Sequence, residues 1–392
     1  MKLVKCTPYA IRSKTPSRGG PILTFVRLET DNGIVGWGEA HAQGAFNNTF
    51  RSYVQLMNDL FDVYLKGEDA LAREKIMKKM YMRFSAIHPD MMGMSLFSAF
   101  DIALWDIAGK ACNMPVYQML GGKFRDKVRC YTYIYDADNF DSVSNNSWNN
   151  AEWVTENALK FVEMGYDALK FDPLRMLSRD GYPPSPWELP LEEFENAERV
   201  VSMLREKLGN KVDILIGTHG QLTTASAIRF GKMLEKYFCF WFEEPVPPEN
   251  TKEMGKVVRA VTVPVATGER LVNIFEFQRL FEDSGCAIIQ PDLGTAGGIT
   301  EVKKIAAMAE AKYTQVAPHL YAGPINLAAA VQVDTAIPNF VIQEGVSAEG
   351  NPFFNSIVDE PLKFEGGYIY PNDRPGIGIN LIESELEKHL AF

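Results

Sequence analysis

From about residue 128 onward one pattern recurs eight times: a short apolar run, in most cases followed by a helical segment. The runs are 128–135, 167–171, 212–217, 238–243, 261–267, 287–291, 315–318 and 339–343, and helical patterns such as 150–163, 190–208 and 299–312 fall between most of them. Apolar strands separated by helices are buried on both faces, as in a parallel sheet. Eight such units in about 220 residues predict a (β/α) barrel. An open doubly wound sheet is the competitor, but neither GxGxxG nor GxxxxGK(S/T) follows any strand, so its phosphate-cradling forms have no support.

The front of the chain has a different texture. Residues 21–30 alternate as a strand, Asp31-Asn32-Gly33 supplies a turn, and 34–39 return, which predicts a β-hairpin. The stretches 13–20 and 41–48 have loop composition. Residues 98–110 are helical in pattern, with Ala99, Ala103 and Ile107 on one face. Three segments result: an α+β region over 1–125, the barrel over 126–360, and a turn-rich segment over 361–392 that can return to the front region.

Charge and composition narrow the partners. The 392 residues carry 40 Lys+Arg against 50 Asp+Glu, a net charge of −10. A nucleic-acid groove or an anionic membrane is therefore not the expected partner. No run of 18 apolar residues and no apolar stretch near Met1 is present, so neither a membrane span nor a signal peptide is expected. The five cysteines are scattered and form no CxxC, which fits free thiols in a reducing cytosol. Cys130 and Cys239 lie in apolar runs and read as core thiols.

Chemistry in such a barrel gathers where strands end. The polar residues closing the runs are Lys170 and Asp172, then Gly217 and His219, Glu243, Glu269, Asp292, His319 and Glu344, and from Gly217 onward the strand ends recur every 23 to 27 residues. Glu243 and Glu269 are hard oxygen donors suited to Mg²⁺. Asp292 and His319 end neighbouring strands. A carboxylate on one ring nitrogen fixes the tautomer and leaves the other nitrogen to accept a proton. Lys170 supplies positive charge for an anionic substrate. The set suits proton abstraction beside a carboxylate, with a metal holding the enediolate.

With these residues placed, the chain resembles the mandelate racemase/muconate lactonizing enzyme group of the enolase superfamily. AFDIALWDIAGK (99–110), ALKFDP (168–173), WFEEP (241–245), ATGER (266–270), IIQPDLGTAGGITE (288–301), APH (317–319) and PGIGI (375–379) carry the likeness along nearly the full length. The resemblance implies an N-terminal α+β capping domain, completed by the C-terminal segment, over a (β/α)7β barrel with Mg²⁺ in its mouth. It implies loops at 13–20 and 41–48 that close over the substrate, which makes Arg18 and His41 candidate substrate contacts, with Arg270 a third. GYDALKFDP and VDILIGTHG are most similar to acid-sugar dehydratases of the gluconate and arabinonate type.

By position, Glu243 and Glu269 resemble two of three metal ligands, His319 with Asp292 a base dyad, and Glu344 a glutamate that hydrogen-bonds the substrate carboxylate. Lys170 matches the first lysine of the family's second-strand motif. Many racemases carry a second lysine where this chain has Asp172, which favours dehydration over a two-base racemisation. The third metal ligand in the family is an Asp or Glu at the end of the third strand, where this chain has Gly217. Asp213 lies about 13 Å down that strand and cannot replace it. His219 and Asp172 are the nearer candidates, Asp172 being the harder donor; His219 also matches a histidine that assists the departing hydroxyl. The expectation is a Mg²⁺-dependent dehydratase of an acid sugar, assembled as a homo-oligomer between dimer and octamer. An epimerase or cycloisomerase, and a non-catalytic homologue disabled at Gly217, stand as alternatives.

Overall fold

The computed structural model describes residues 1–14, 19–41, 49–85, 88, 90–138, 147–174, 186–345 and 351–392. The front region opens with β1 (Leu3–Arg12), β2 (Ile22–Thr30) and β3 (Val35–Ala40), antiparallel and in that order across the sheet. The predicted hairpin is β2–β3, turning where Gly33 takes φ +83° and Thr30 Oγ1 accepts the Ile34 N–H at 3.0 Å. β1 escaped the sequence reading because Pro8 interrupts its pattern. Proline lacks an N–H and is tolerated on edge strands, and β1 is the sheet's edge.

Among the described residues four α-helices follow, α1 (Thr49–Leu60), α2 (Arg73–Phe84), α3 (Met91–Cys112) and α4 (Val116–Met119), with a π-helical turn (Phe61–Leu65) directly after α1. The face of α3 bearing Ala99, Ala103 and Ile107 packs on β3. A Cβ on Gly38 would fall 1.8 Å from the Ala99 carbonyl oxygen, and one on Gly36 2.2 Å from that of Ala103. Helix and strand touch backbone to backbone, and a side chain at either glycine would push them apart. α3 is long and apolar enough to cross a membrane, but 83% of that stretch is buried inside the protein, as in a core helix.

Strand and helix then alternate: β4 (Val128–Tyr133), α5 (Ala151–Glu163), β5 (Ala168–Phe171), α6 (Leu191–Leu208), β6 (Asp213–Gly217), α7 (Thr224–Glu235), β7 (Trp241–Glu243), α8 (Thr251–Ala260), β8 (Val265–Thr267), α9 (Asn273–Asp283), β9 (Ile288–Ile289), α10 (Gly298–Glu310), β10 (Gln315–Val316), α11 (Pro324–Ala336) and β11 (Gln343–Gly345). Neighbours from β4 to β10 pair in parallel in chain order. The chain after α11 closes the ring, because Phe340 bridges Val316 of β10 and Gln343, Glu344 and Gly345 pair in parallel with Cys130, Tyr131 and Thr132 of β4. The fold is the expected (β/α)7β barrel with an N-terminal α+β cap.

Inside the ring, Tyr131, Ala168, Leu215, Trp241, Ala266, Ile288, Ala317 and Ile342 form a separate buried cluster. Side chains alternate along a strand, so a residue two positions further faces the same interior, one layer higher. That rule puts Tyr133, Lys170, Gly217, Glu243, Gln290, His319 and Glu344 directly above the apolar floor.

The rest of the chain forms α12 (Pro352–Ile357), a hairpin of β12 (Lys363–Glu365) and β13 (Tyr368–Tyr370), and α13 (Glu383–Leu386). β13 pairs with the start of β4; beyond it, Gly376 bridges Pro115 and Leu390 bridges Ile11. Buried carboxylates join cap to barrel. Asp101 of α3 accepts from the backbone N and hydroxyl of Thr300 in α10, at 2.9 and 2.6 Å. Glu39 of β3 accepts the N–H groups of Gly323 and Asn326 at the start of α11, at 2.5 and 3.0 Å. Helix N-termini leave such donors without internal partners, and a carboxylate satisfies them. Cys130, Cys239 and Cys286 are buried free thiols, so the two thiols expected in the core lie there.

Candidate active site

The strand ends bring together most of the residues picked out from the sequence. His319, three residues past β10, places Nδ1 2.7 Å from Asp292 Oδ2, three residues past β9. Asp292 is fixed in turn by the Gly294 N–H on Oδ1 at 2.6 Å. The other ring nitrogen, Nε2, faces Glu269 Oε2 at 3.7 Å and Glu344 Oε2 at 3.8 Å. Glu344 is held by the Leu320 N–H at 2.9 Å. Burial opposes a charge on His319, but Glu269, Glu344 and Asp292 outweigh it and push its pKa up to about 10.

On the opposite side of the ring stands a second histidine–carboxylate pair. β5/β6 and β9/β10 are separated by half of the eight-strand circuit. Asp172 Oδ2 lies 3.3 Å from His219 Nδ1 and accepts from Gln221 Nε2 at 3.0 Å, while its Oδ1 accepts the Leu174 N–H at 3.0 Å. Burial again disfavours the imidazolium, yet Asp172 and Glu269 raise the His219 pKa to about 9. His219 has φ +48°, left-handed for a non-glycine residue. Arg270 holds that turn by donating to the His219 carbonyl at 3.2 Å and pairing with Glu244 at 2.8 Å. Its guanidinium, expected to contact substrate, is engaged by Glu244 and the His219 carbonyl.

Lys170 sits on the floor, fully buried, with Nζ 2.5 Å from Glu243 Oε1 and 3.8 Å from Glu344 Oε1. Burial would lower its pKa, but the two glutamates hold it well above the ordinary lysine range. His41, just after β3, reaches in from the cap and lies 3.5 Å from Asp292 Oδ2. Arg18 lies outside the described residues, as do 15–17 and 42–48 of the predicted closing loops.

The donor set bears on the expected metal. Among the described residues Glu243 Oε2 is buried without a hydrogen-bond partner, and Glu269 Oε2 lies 3.7 Å from His319 Nε2. These are two hard oxygen donors suited to a magnesium ion that keeps several waters. Asp172 does not join them. Its oxygens are taken by His219, Gln221 and the Leu174 N–H, and among the described residues no three His, Cys, Asp or Glu side chains are arranged to hold a metal ion. The expected third ligand, Asp172, is held instead in the hydrogen-bond network of His219 and Gln221.

Two residues of this layer were missed. Tyr133 lies with its ring 4.9 Å from Lys170 Nζ. Gln290 is fully buried, and among the described residues neither its amide nitrogen nor its oxygen has a hydrogen-bond partner. Both follow a residue of the apolar floor by two positions, and that period was the available signal.

A capped barrel whose mouth joins two histidine–carboxylate pairs, buried glutamates and a lysine has the architecture of an enolase-superfamily enzyme. The chain belongs to the mandelate racemase/muconate lactonizing enzyme family. Residues 4–121 match the family described as the mandelate racemase/muconate lactonizing enzyme N-terminal domain, and 153–385 match the enolase C-terminal domain-like family. Among similar proteins, the D-galactonate dehydratase of Pectobacterium atrosepticum is 34% identical over 98% of this chain and 93% of its own length. That of Klebsiella pneumoniae is 34% identical over 98% and 94%. The crystal structure of a mandelate racemase/muconate lactonizing enzyme from Jannaschia sp. aligns with TM-score 0.92 at 35% identity, covering 100% of this chain and 98% of that one.

Proposed function

We propose that this chain dehydrates an aldonate-type sugar acid to a 2-keto-3-deoxy acid through an enediolate. The observation that carries this reading is the pair of histidine–carboxylate dyads half the barrel circuit apart, with the Lys170 ammonium buried against Glu243 and Glu344. The D-galactonate dehydratase names of the relatives support the substrate class.

His319 Nε2 takes the proton from the carbon beside the carboxylate, with Nδ1 anchored on Asp292; a cation held by Glu269 would offset the negative charge that otherwise keeps this ring protonated and so favour the neutral, proton-accepting form. Lys170 and Glu344 lie where the substrate carboxylate would bind; the ammonium, which Glu344 helps to orient, offsets the charge that grows there. His219, charged through Asp172, gives a proton to the β-hydroxyl as it leaves as water. The resulting enol tautomerises to the ketone. Glu243 and Glu269 would hold the Mg²⁺, which when bound supplies further positive charge for the enediolate.

Two dyads on opposite faces also suit proton removal from one face and return to the other, so epimerisation is the second reading. A mass-spectrometric screen of aldonic, uronic and aldaric acids, D-galactonate included, in D2O with Mg²⁺ separates the two. Loss of water from one acid supports dehydration. Deuterium uptake at constant composition supports epimerisation. No change in any acid would overturn both.

A further inference from the structure

Lys170 is spatially committed to a carboxylate that a metal would need. Its Nζ is fully buried and lies 2.5 Å from Glu243 Oε1. On the neighbouring strand, Gly217 stands in register with Glu243 and offers no donor. A Cβ there would come within 3.1 Å of Lys170 Cε, so the room beside Glu243 is filled by the lysine stem. Among the described residues Glu243 keeps one oxygen, Oε2, without a hydrogen-bond partner. An ammonium and a divalent cation on one carboxylate repel strongly in a buried site, and both cannot be held there at full strength.

The surroundings give the ammonium somewhere else to go. Glu344 Oε1 is 3.8 Å from Nζ, and the rings of Tyr133 and Tyr131 lie 4.9 and 5.5 Å away, their faces able to stabilise a cation. Glu344 also faces His319, where the proposed substrate carboxylate would lie.

We propose that Lys170 is a displaceable counter-ion for Glu243. Its ammonium neutralises Glu243 in the empty enzyme, and a divalent cation binds there as that ammonium moves toward Glu344 and the substrate carboxylate. Metal and anionic substrate then strengthen each other's binding by the same factor. This rests on the metal reading above and adds to it an order of assembly that this chain's Gly217–Lys170 pair imposes.

The test is calorimetric titration of Mg²⁺ alone into the wild type, Lys170→Met and Lys170→Gln at one pH. With the competing ammonium removed, both variants should bind Mg²⁺ about tenfold or more tightly than the wild type. Equal or weaker binding in the variants overturns the proposal, as does the absence of Mg²⁺ binding in all three. Should neither variant fold, Mg²⁺ is titrated into His319→Asn with and without the sugar acid that the wild type dehydrates. The acid should tighten Mg²⁺ by a similar factor, and an unchanged affinity overturns the proposal. If the acid screen finds no substrate while the lysine variants still bind Mg²⁺ more tightly, the dehydratase reading falls and the counter-ion relation stands.

Discussion

His41 and His319 lie nearly parallel, ring centroids 6.4 Å apart and planes 19° apart, and both direct Nδ1 to Asp292 Oδ2, at 3.5 and 2.7 Å. One barrel carboxylate thus serves a histidine from the cap and one from the barrel. Burial would raise the Asp292 pKa, but the two histidines hold it well below the usual range, so it stays ionised. An amide cannot supply that charge and presents an N–H in place of one acceptor. Asp292→Asn is expected to lower kcat by about 10²–10⁴ while the circular dichroism spectrum stays unchanged. A loss of less than about threefold would remove the dyad from the mechanism.

His219 is assigned to the second half of the reaction, so its loss should separate the halves. In His219→Gln, dehydration is expected to fall by about 10²–10³ while exchange of the substrate α-hydrogen with D2O continues through His319. NMR of the recovered substrate reads the exchange and a keto-acid assay reads the product. Equal loss of both would instead make His219 a binding group.

The barrel was legible because its strands are apolar throughout and end in titratable groups at one-unit spacing. The placement of Asp292 and His319 on neighbouring strand ends, and of Lys170 at a strand end, was readable from that spacing. β1 was hidden by Pro8, and Tyr133 and Gln290 by their type, since neither carries charge to mark it. The partners of Asp172 and Arg270 could not be read from the sequence. His219 turns back toward Asp172 because its backbone is left-handed, and Arg270 is drawn to Glu244, whose φ of +40° also breaks the strand alternation. Alternation predicts direction only while a strand remains a strand.

Glu39 tests how the cap is seated. Its two oxygens each accept a backbone N–H at the start of α11, the helix that follows the His319 loop. Glutamine keeps one acceptor and turns an NH2 group toward the other donor. Glu39→Gln should destabilise the protein by about 1–3 kcal/mol in urea unfolding. Stability equal to the wild type would mean that these contacts do not hold cap to barrel.

Asp101 makes the cap–barrel junction sensitive to pH. Burial raises its pKa from 3.8 to about 7, although the hydrogen bonds from Thr300 pull the other way. A carboxyl whose folded pKa exceeds its unfolded value is better tolerated protonated. Its contribution is therefore fully present below pH 3.8 and lost as the pH rises through about 7. Asparagine is neutral at every pH and escapes that loss. Relative to the wild type, Asp101→Asn should gain about 1–4 kcal/mol of stability between pH 4 and pH 8. Urea unfolding of both proteins at the two pH values gives this difference directly, and groups common to both cancel. A difference that does not change with pH would mean that Asp101 remains ionised in the fold, with its charge fully met by Thr300 and the start of α10.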